Sequence, residues 1–243
     1  MSAQKNIINH LYKLFSFLSE KSSTSIQKGE NYKCVFHKSS SWPNFIYDID
    51  LNQINIISLC EKIKNNQLPK HLIITDNQIA NHEEKLSSNN FFPIAKWSCL
   101  KLEKIKPVKN RKLTIKKITT YLALKEWINA ASCGFDTIDI DIFKYCFKDE
   151  EIHLFGGYQN NKLVTTALLF YSEDTAGIYH VVTLPQERGK GYATEIFSFC
   201  EEVAIKKGAN HVIAQATDDG LDLWLKTGMK LYGNFYLFFY NQN

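Results

Sequence analysis

Hydrophobic residues follow two different patterns in the C-terminal half of the chain. Over residues 192–207, apolar side chains occupy positions i, i+3, i+4 and i+7, the spacing of a helix with one buried face. Short runs rich in β-branched and other apolar residues over 175–185 and 211–217 predict strands. Two further runs of this kind are joined by Asn160-Asn161 and predict a β-hairpin. This half is therefore predicted to be a mixed α/β domain around a central sheet.

The remaining predicted elements follow the same two patterns. In the C-terminal half they are a strand over 111–118, helices over 119–131, 139–149 and 219–228, and closing strands over 230–235 and 236–241. In the N-terminal half, apolar residues at helical spacing over 7–18 predict an amphipathic first helix.

The composition is typical of a globular protein. Hydrophobic residues make up 44% and charged residues 22% of the 243 positions. No segment approaches the roughly 20 consecutive apolar residues that a membrane span requires, and the amphipathic first helix differs from a signal peptide. The six cysteines form no C-x-x-C pair, which predicts reduced thiols and no metal site. We therefore expect a cytoplasmic protein with no membrane partner.

A basic segment over 101–117 separates the two halves of the chain. The net charge of +4 is mild, and the segment lacks the interleaved aromatic residues of a nucleic-acid-binding patch. It contains Pro107 and Asn110, which favour a solvated linker. We therefore expect two domains, residues 1–106 and 112–243, and no nucleic-acid partner.

Two of the chain's 11 glycines, Gly189 and Gly191, precede the helix predicted over 192–207. A helix N-terminus carries unpaired N–H groups and a partial positive charge, and glycines there allow a phosphate to approach closely. Arg188 and Lys190 add two cationic side chains. The loop has neither the Walker nor the dinucleotide-binding glycine pattern. Taken alone, it is either a pyrophosphate site or a turn that connects a strand to a helix.

The residues around this loop resemble a known family. Residues 188–193 read RGKGYA, which is similar to [QR]-x-x-G-x-[GA], the coenzyme A signature of the GNAT (Gcn5-related) N-acetyltransferase superfamily. The run VVTLP before them resembles the family's fourth strand, and HVIAQATDDGLDLWLKTGM resembles its fifth strand and fourth helix. The resemblance covers about residues 112 to 240. It implies the GNAT fold, a central mixed and mostly antiparallel sheet flanked by helices.

The resemblance also implies acetyl-CoA as cosubstrate, without a metal. The backbone of Val181, Val182 and Thr183 would hold the thioester and the pantetheine arm. The pyrophosphate would lie against the loop and the first helical turn, which consist of Arg188, Gly189, Lys190, Gly191, Tyr192, Ala193 and Thr194. A neutral primary amine would attack the thioester carbonyl directly, with backbone N–H groups stabilising the oxyanion and a base removing the amine proton.

The sequence departs from the family pattern where the catalytic residues are expected. Trp224 stands at the position of the tyrosine that usually acts as general acid, and an indole N–H cannot deliver a proton. Tyr179 and His180 are the candidates for the general base. Strand alternation predicts that they point to opposite faces, with Tyr179 on the face of Thr183 and in the cleft.

Three aspartates lie in the region where this family commonly shapes its acceptor pocket. They are Asp136, Asp139 and Asp141. Their carboxylates would attract a cationic amine, or Asp139 would instead cap the helix predicted next. Their D-x-x-D-x-D spacing lacks the glycine and the distal glutamate of a calcium loop, which again predicts no metal.

Part of the N-terminal half predicts the same order of elements as part of the C-terminal half. Residues 71–103 and residues 211–240 both predict a strand, a helix and two closing strands. The acidic segment 48–53 stands where the glycine loop would be, and its carboxylates would repel a phosphate. The sequence therefore predicts a tandem arrangement with a degenerate GNAT-like N-terminal domain, or an unrelated α/β domain with a coincidental order.

Two classes of function remain open at this point. The first is an N-acetyltransferase that acts on the amine of a small molecule or of a protein or peptide. The second is a non-catalytic acyl-CoA-binding or protein-interaction module, which Trp224 and the degenerate half favour. The intact glycine loop favours the enzyme.

Overall fold

One mixed sheet runs through both halves of the computed structural model, which describes residues 2–106, 108, 111–135 and 137–242. The elements of the N-terminal half are α1 (Ala3–Lys21), β1 (Ser25–Gly29), β2 (Tyr32–Phe36), β3 (Phe45–Tyr47), α2 (Ile56–Lys64), β4 (His71–Thr75), α3 (Asp76–Ser87) and β5 (Phe91–Leu102). The predicted first helix is present and begins at Ala3, before the predicted residue 7, where the Ser2 hydroxyl accepts a hydrogen bond from the N–H of Lys5.

The C-terminal half contains a longer series of strands. Its elements are β6 (Thr114–Lys117), α4 (Tyr121–Phe135), a 3₁₀ helix (Ile140–Ile142), β7 (Ile152–Gln159), β8 (Lys162–Ser172), β9 (Thr175–Thr183), a second 3₁₀ helix (Pro185–Glu187), α5 (Tyr192–Lys206), β10 (His211–Thr217), α6 (Asp218–Thr227) and β11 (Met229–Tyr240). The predicted hairpin is β7–β8, with Asn160 and Asn161 both at positive φ in its turn.

The two halves exchange their last strands. The strand order is β1-β2-β3-β4-β11-β5-β10-β9-β8-β7-β6. Strand β11 pairs with β4 of the N-terminal half, β5 pairs with β10 of the C-terminal half, and β5 and β11 pair with each other. About this central pair the order is symmetric apart from β6, and the parallel pairs β3–β4 and β9–β10 occupy equivalent places. Each half thus completes its sheet with a strand of the other half.

The closing strands differ from the prediction. Each predicted pair is one strand of 12 residues, β5 or β11. Strand β11 continues through the predicted break between 235 and 236, and its first irregularity is a bulge between Leu231 and Asn234, in which Gly233 has a φ of 131°. A glycine tolerates this φ, so the strand continues beyond the bulge. Because β5 and β11 lie side by side in the centre of the sheet, each has a partner along both edges.

The helix predicted over 139–149 is also absent from the described residues. The chain forms a 3₁₀ turn at Ile140–Ile142 and then further turns, with Lys144 N bonded to Ile140 O at 2.9 Å. Isoleucines at 138, 140 and 142 lower the helix propensity of this segment, because β-branched side chains lose rotamer freedom in a helix.

Helices cover both faces of the sheet. Along β10, Val212 and Ala214 pack with α5 and α6, whereas Ile213 between them packs into the cluster that contains α1 and α4. Strand alternation therefore assigns α1 and α4 to one face and α5 and α6 to the other. We call these the α1/α4 face and the α5/α6 face. Helix α1 belongs to the N-terminal half but reaches β8, β9 and β10 of the other half.

Candidate functional site

Strands β9 and β10 diverge in the middle of the sheet. They pair in parallel from Thr175↔His211 to Ile178↔Ala214, but β9 continues to Thr183 and β10 to Thr217. Beyond the last pair, none of the strands in the described part of the chain pairs with the edge of β9 that faces β10. A backbone edge of this kind can accept an extended ligand as an added strand.

A cavity of about 630 Å³ opens at this divergence. It is lined by Phe197 and Trp224 on the α5/α6 face and by Leu11 and Trp42 on the α1/α4 face. The opening between the strands therefore joins the two faces of the sheet. A volume of this size is in the range of small-molecule and cofactor sites.

The residues predicted to bind coenzyme A or to act in catalysis gather around this cavity, except Lys190. Those that line it are Tyr179, His180, Val181, Val182, Thr183, Arg188, Gly189, Gly191, Tyr192, Ala193, Thr194 and Trp224. Lys190 is outside the lining, and its ammonium nitrogen lies 2.8 Å from the carboxylate of Glu187.

The two loop glycines are required by the backbone. Gly189 has a φ of 77° and Gly191 a φ of 86°, in the left-handed region that residues with a Cβ rarely adopt. A Cβ built at either position would have no atom within 4 Å. Neither glycine is therefore needed for protein packing, and the space above both of them is open to a ligand.

The first turn of α5 points into this open space. Its first i→i−4 hydrogen bond joins Glu195 N to Gly191 O at 3.1 Å, so the N–H groups of Tyr192, Ala193 and Thr194 come before the intrahelical ladder. Together with the helix dipole, such groups favour an anion. Arg188, whose Nε donates to the carbonyl of Thr183 at 3.3 Å, adds positive charge.

A bulge in β9 overturns the predicted orientation of Tyr179 and His180. Opposite β8, the register jumps from Val182↔Thr166 to Tyr179↔Leu168, and His180 has a φ of 48°. The extra residue shifts the alternation by one position. Tyr179, His180 and Val182 consequently all lie on the α1/α4 face, and Tyr179 does not share a face with Thr183.

Tyr179 is linked to a histidine of the N-terminal half. Its hydroxyl lies 2.8 Å from Nδ1 of His10, whose Nε2 lies 3.2 Å from the carbonyl of Thr175. Because a carbonyl only accepts, Nε2 carries the proton and Nδ1 accepts from the Tyr179 hydroxyl. Burial lowers the pKa of His10 to about 4 and raises the pKa of Tyr179, so both side chains are neutral near pH 7.

His180 lies among aromatic rings. Its ring centroid is 4.3 Å from that of Trp42 and 6.1 Å from those of Trp127 and Phe143. Burial lowers its pKa to about 3, because the charged imidazolium would be desolvated. His180 is therefore a weak base, although it lines the cavity.

Trp224 fills space on the α5/α6 side of the cavity. Its ring stacks on Phe197 with a centroid distance of 4.1 Å and an interplanar angle of 15°. Gly220 lies one turn earlier on the same helix, and a Cβ there would lie 3.0 Å from Nε1 of Trp224, so the indole packs back over the first turn of α6. The indole thus forms part of the cavity wall at the position where the GNAT pattern usually has a tyrosine.

The aspartates predicted near the acceptor have other partners. Asp139 accepts hydrogen bonds from the hydroxyl of Ser39 and, at 2.9 Å, from the N–H of Asp141, and the first of these lowers its pKa. It thus caps the 3₁₀ turn. Asp141 lies 3.4 Å from the ammonium of Lys144. Neither aspartate lines the cavity, and Asp136 lies outside the described residues.

Sequence patterns did not identify the cavity residues of the N-terminal half. Leu11, Trp42 and Trp97 come from a helix, a loop and a strand, with no shared spacing. Trp97 reaches the site because β5 pairs with β10, opposite Thr217. Gln215 of β10 and Asp219 of α6, both from the C-terminal half, also line the cavity. The strand exchange accounts for Trp97, whereas Leu11 lies on α1, which packs on β8, β9 and β10.

Two further properties concern only the described residues. Within them, no group of three or more His, Cys, Asp or Glu side chains could hold a metal ion. Their helices are also too short or too polar to span a membrane.

Known proteins share the fold. A GCN5-related N-acetyltransferase from Kribbella flavida matches with a TM-score of 0.72 at 11% identity, covering 99% of this chain and 96% of its own. A functionally unknown conserved protein from Staphylococcus epidermidis matches with 0.67 at 15% identity, covering 93% and 98%. A GCN5-related N-acetyltransferase from Sphaerobacter thermophilus matches with 0.65 at 12% identity, covering 87% and 81%.

The sequence comparison covers the half that contains the glycine loop. No curated protein matches the chain, but residues 121–228 match the profile of the Acetyltransferase (GNAT) family. This segment includes β9, the loop, α5, β10 and α6, the elements that border the cavity. Over residues 121–228 the chain is thus similar to the acetyltransferase (GNAT) family, and its mixed sheet flanked by helices is a GNAT-like fold.

Proposed function

We propose that this protein is an N-acetyltransferase that transfers an acetyl group from acetyl-CoA to a primary amine by direct attack. The observation that carries the proposal is the cavity at the β9–β10 divergence, which joins the open glycine loop to the opposite face of the sheet. The acceptor is the amine of a small molecule or an exposed amine of a protein or peptide.

In this proposal the α5/α6 side of the cavity binds coenzyme A, and the α1/α4 side admits the acceptor. The loop and the first turn of α5 bind the pyrophosphate, with Arg188 beside them. The backbone of Val181, Val182 and Thr183 bonds the pantetheine arm along the unpaired edge of β9. This arrangement leads the thioester into the gap between the strands, where the acceptor reaches it from the α1/α4 face.

The chemistry is one substitution at the thioester carbon. The amine nitrogen forms the new C–N bond, the C–S bond breaks, and coenzyme A leaves as a thiolate. A thiol pKa of about 8.5 makes this leaving group tolerable without an acid. Trp224 therefore narrows the cavity beside the thioester and donates no proton.

We propose that Tyr179, in preference to His180, is the general base that removes the proton of the amine. Tyr179 lines the cavity, and its hydroxyl donates to Nδ1 of His10. As its oxygen takes the amine proton, its own proton can pass to His10, so no tyrosinate is formed. His180 instead lies within an aromatic cluster, with its ring centroid 4.3 Å from that of Trp42.

The alternative is a non-catalytic acyl-CoA-binding or protein-interaction module. The wall formed by Trp224, together with two histidines that burial keeps neutral, favours it. A binding module would respond to acetyl-CoA but would not release its thiol in the presence of any amine.

The N-terminal half is, in our proposal, a degenerate GNAT-like unit in a tandem arrangement. The symmetric strand order supports this origin, while Asp48 and Asp50 stand before α2 in place of a glycine loop. The proposed domain limits remain 1–106 and 112–243. A cytoplasmic location completes the proposal and agrees with six free cysteines.

The experiment measures binding and turnover on the same samples. Acetyl-CoA at 100 times its Kd should stabilise the protein by about 2.7 kcal/mol, a rise in Tm of roughly 5–10 °C. Gly191→Glu should abolish this rise in Tm because it introduces bulk and negative charge into the proposed pyrophosphate site. Gly208→Glu is the matched control, since Gly208 ends the same helix at a φ of 91° with equally open space.

Turnover is followed as thiol release from acetyl-CoA over a panel of amines. Amine-dependent release that Gly191→Glu removes and Gly208→Glu retains would support the transferase. A thermal response without release for any amine would favour the binding module. Absence of any thermal shift with coenzyme A or acetyl-CoA would refute both the transferase and the acyl-CoA-binding module.

A further inference from the structure

Leu11, Trp42 and Trp97 of the N-terminal half form one wall of the cavity, which we call the N-terminal wall. We propose that this wall selects an amine attached to a flat, apolar body, such as an arylalkylamine. The inference rests on the proposed acetyl transfer and names its acceptor class.

The N-terminal wall lies on the side from which an acceptor would enter. Leu11 and Trp42 belong to the hydrophobic cluster of the α1/α4 face, and Trp97 packs against that cluster. The glycine loop and Trp224 border the cavity from the α5/α6 side. An acceptor on the N-terminal wall is therefore separated from the pyrophosphate site by the plane of the sheet.

Both indoles of the wall are held by second aromatic rings. The Trp42 ring meets His180 at a centroid distance of 4.3 Å and an angle of 89°, and it stacks on Phe143 at 6.2 Å. The Trp97 ring packs against Phe235 at 5.3 Å. The wall is thus formed before any ligand arrives, which reduces the entropic cost of binding a rigid, flat molecule.

The charges around the cavity disfavour an acceptor with a second ammonium group. Among the described residues that line it, the carboxylates are Glu187 and Asp219. Glu187 is paired with Lys190 at 2.8 Å, and Asp219 is exposed at the start of α6. A cationic tail against the indoles would lose its hydration without gaining a buried counter-charge.

The same environment favours the reactive form of the acceptor. Direct attack needs an amine nitrogen with a free lone pair, and an apolar site lowers the pKa of an amine by disfavouring its charged form. Aromatic contacts to a flat substituent add affinity through buried area and ring packing. The wall would therefore improve both the binding and the nucleophilicity of an arylalkylamine.

The test compares two amines of similar length in the thiol-release assay. We expect kcat/KM to be at least about tenfold higher for 2-phenylethylamine than for putrescine, which carries a second ammonium group. Trp97→Leu should lower kcat/KM for 2-phenylethylamine by about tenfold while leaving the acetyl-CoA thermal shift intact. Trp97→Phe should restore most of the preference, because it returns a ring to the wall.

Phe92→Leu provides the matched control. Phe92 lies on β5, the strand of Trp97, and is 45% exposed outside the cavity lining, so the preference should not change. If Phe92→Leu reduced the preference as much as Trp97→Leu, the effect would come from the strand and the inference would fail.

The outcomes separate the acceptor class from the transfer itself. Equal or faster transfer to putrescine would overturn the inference and indicate a cation held over the indole faces, while the transferase would stand. An acetyl-CoA thermal shift with no transfer to either amine, or to any other amine tested, would overturn the proposed transfer and the inference with it.

Discussion

Glu201 is a buried acid whose ionisation should limit the stability of the protein at alkaline pH. It lies on α5 with 0% of its surface exposed. Its Oε1 is 3.1 Å from the hydroxyl of Thr227, which also lies 2.8 Å from the carbonyl of Trp224. The hydroxyl has one hydrogen and the carbonyl can only accept. The single hydrogen of the hydroxyl is therefore shared between these two acceptors, and Oε2 of Glu201 has no hydrogen-bond partner among the described residues, so an ionised Glu201 would be poorly solvated.

The magnitude follows from the shift in pKa. Burial raises the pKa of Glu201 from 4.5 to about 8. Between these two values the unfolded chain loses a proton that the folded chain retains, so the free energy of unfolding falls as the pH rises. The shift of about 3.5 units corresponds to at most about 5 kcal/mol. For a chain of this size that is roughly 10–20 °C in Tm.

The perturbation is Glu201→Gln, which keeps the shape of the side chain but cannot ionise. Near pH 5 we expect a Tm close to that of the wild type. At pH 9 the variant should be more stable by up to about 5 kcal/mol, since it has no buried charge to form. Thermal unfolding of both proteins from pH 5 to pH 9 measures the difference.

Glu173→Gln is the control, because its side chain is 76% exposed and pairs with Lys13 at the surface. Its Tm should follow that of the wild type across the range. Parallel curves for Glu201→Gln and the wild type would refute the reasoning. Such a result would mean that Glu201 is solvated or stabilised as a carboxylate in the folded protein.

Three further predictions concern the proposed activity. Calorimetry should give one acetyl-CoA per chain, because Asp48 and Asp50 would repel a second pyrophosphate; two comparable sites would contradict this. Trp224→Tyr should retain acetyl-CoA binding with equal or higher transfer, and Trp224→Ala should mainly alter acceptor preference; loss of measurable transfer in Trp224→Tyr would reveal a positive role of the indole. Tyr179→Phe should lower kcat by about 100-fold or more while the acetyl-CoA thermal shift persists, and an unchanged kcat would exclude the relay to His10.

The sequence predicted the elements whose signals are local. The period of the apolar residues located α5 to within one residue of its end, since predicted 192–207 became Tyr192–Lys206. The positions of Gly189 and Gly191 indicated an open turn, and both have positive φ. These features depend on residues a few positions apart, so a local pattern is enough to specify them. The role of that turn in binding remains a prediction.

Only the tertiary structure decided which side chains share the cavity. Alternation failed at His180 because the bulge in β9 adds one residue opposite β8, and the neighbouring strand determines such a bulge. Trp97 reaches the cavity because β5 pairs with β10 of the other half, and Leu11 reaches it because α1 packs on β8, β9 and β10. Strand pairing between residues more than a hundred positions apart depends on packing across the whole sheet. A local period therefore specifies a strand but not its neighbours.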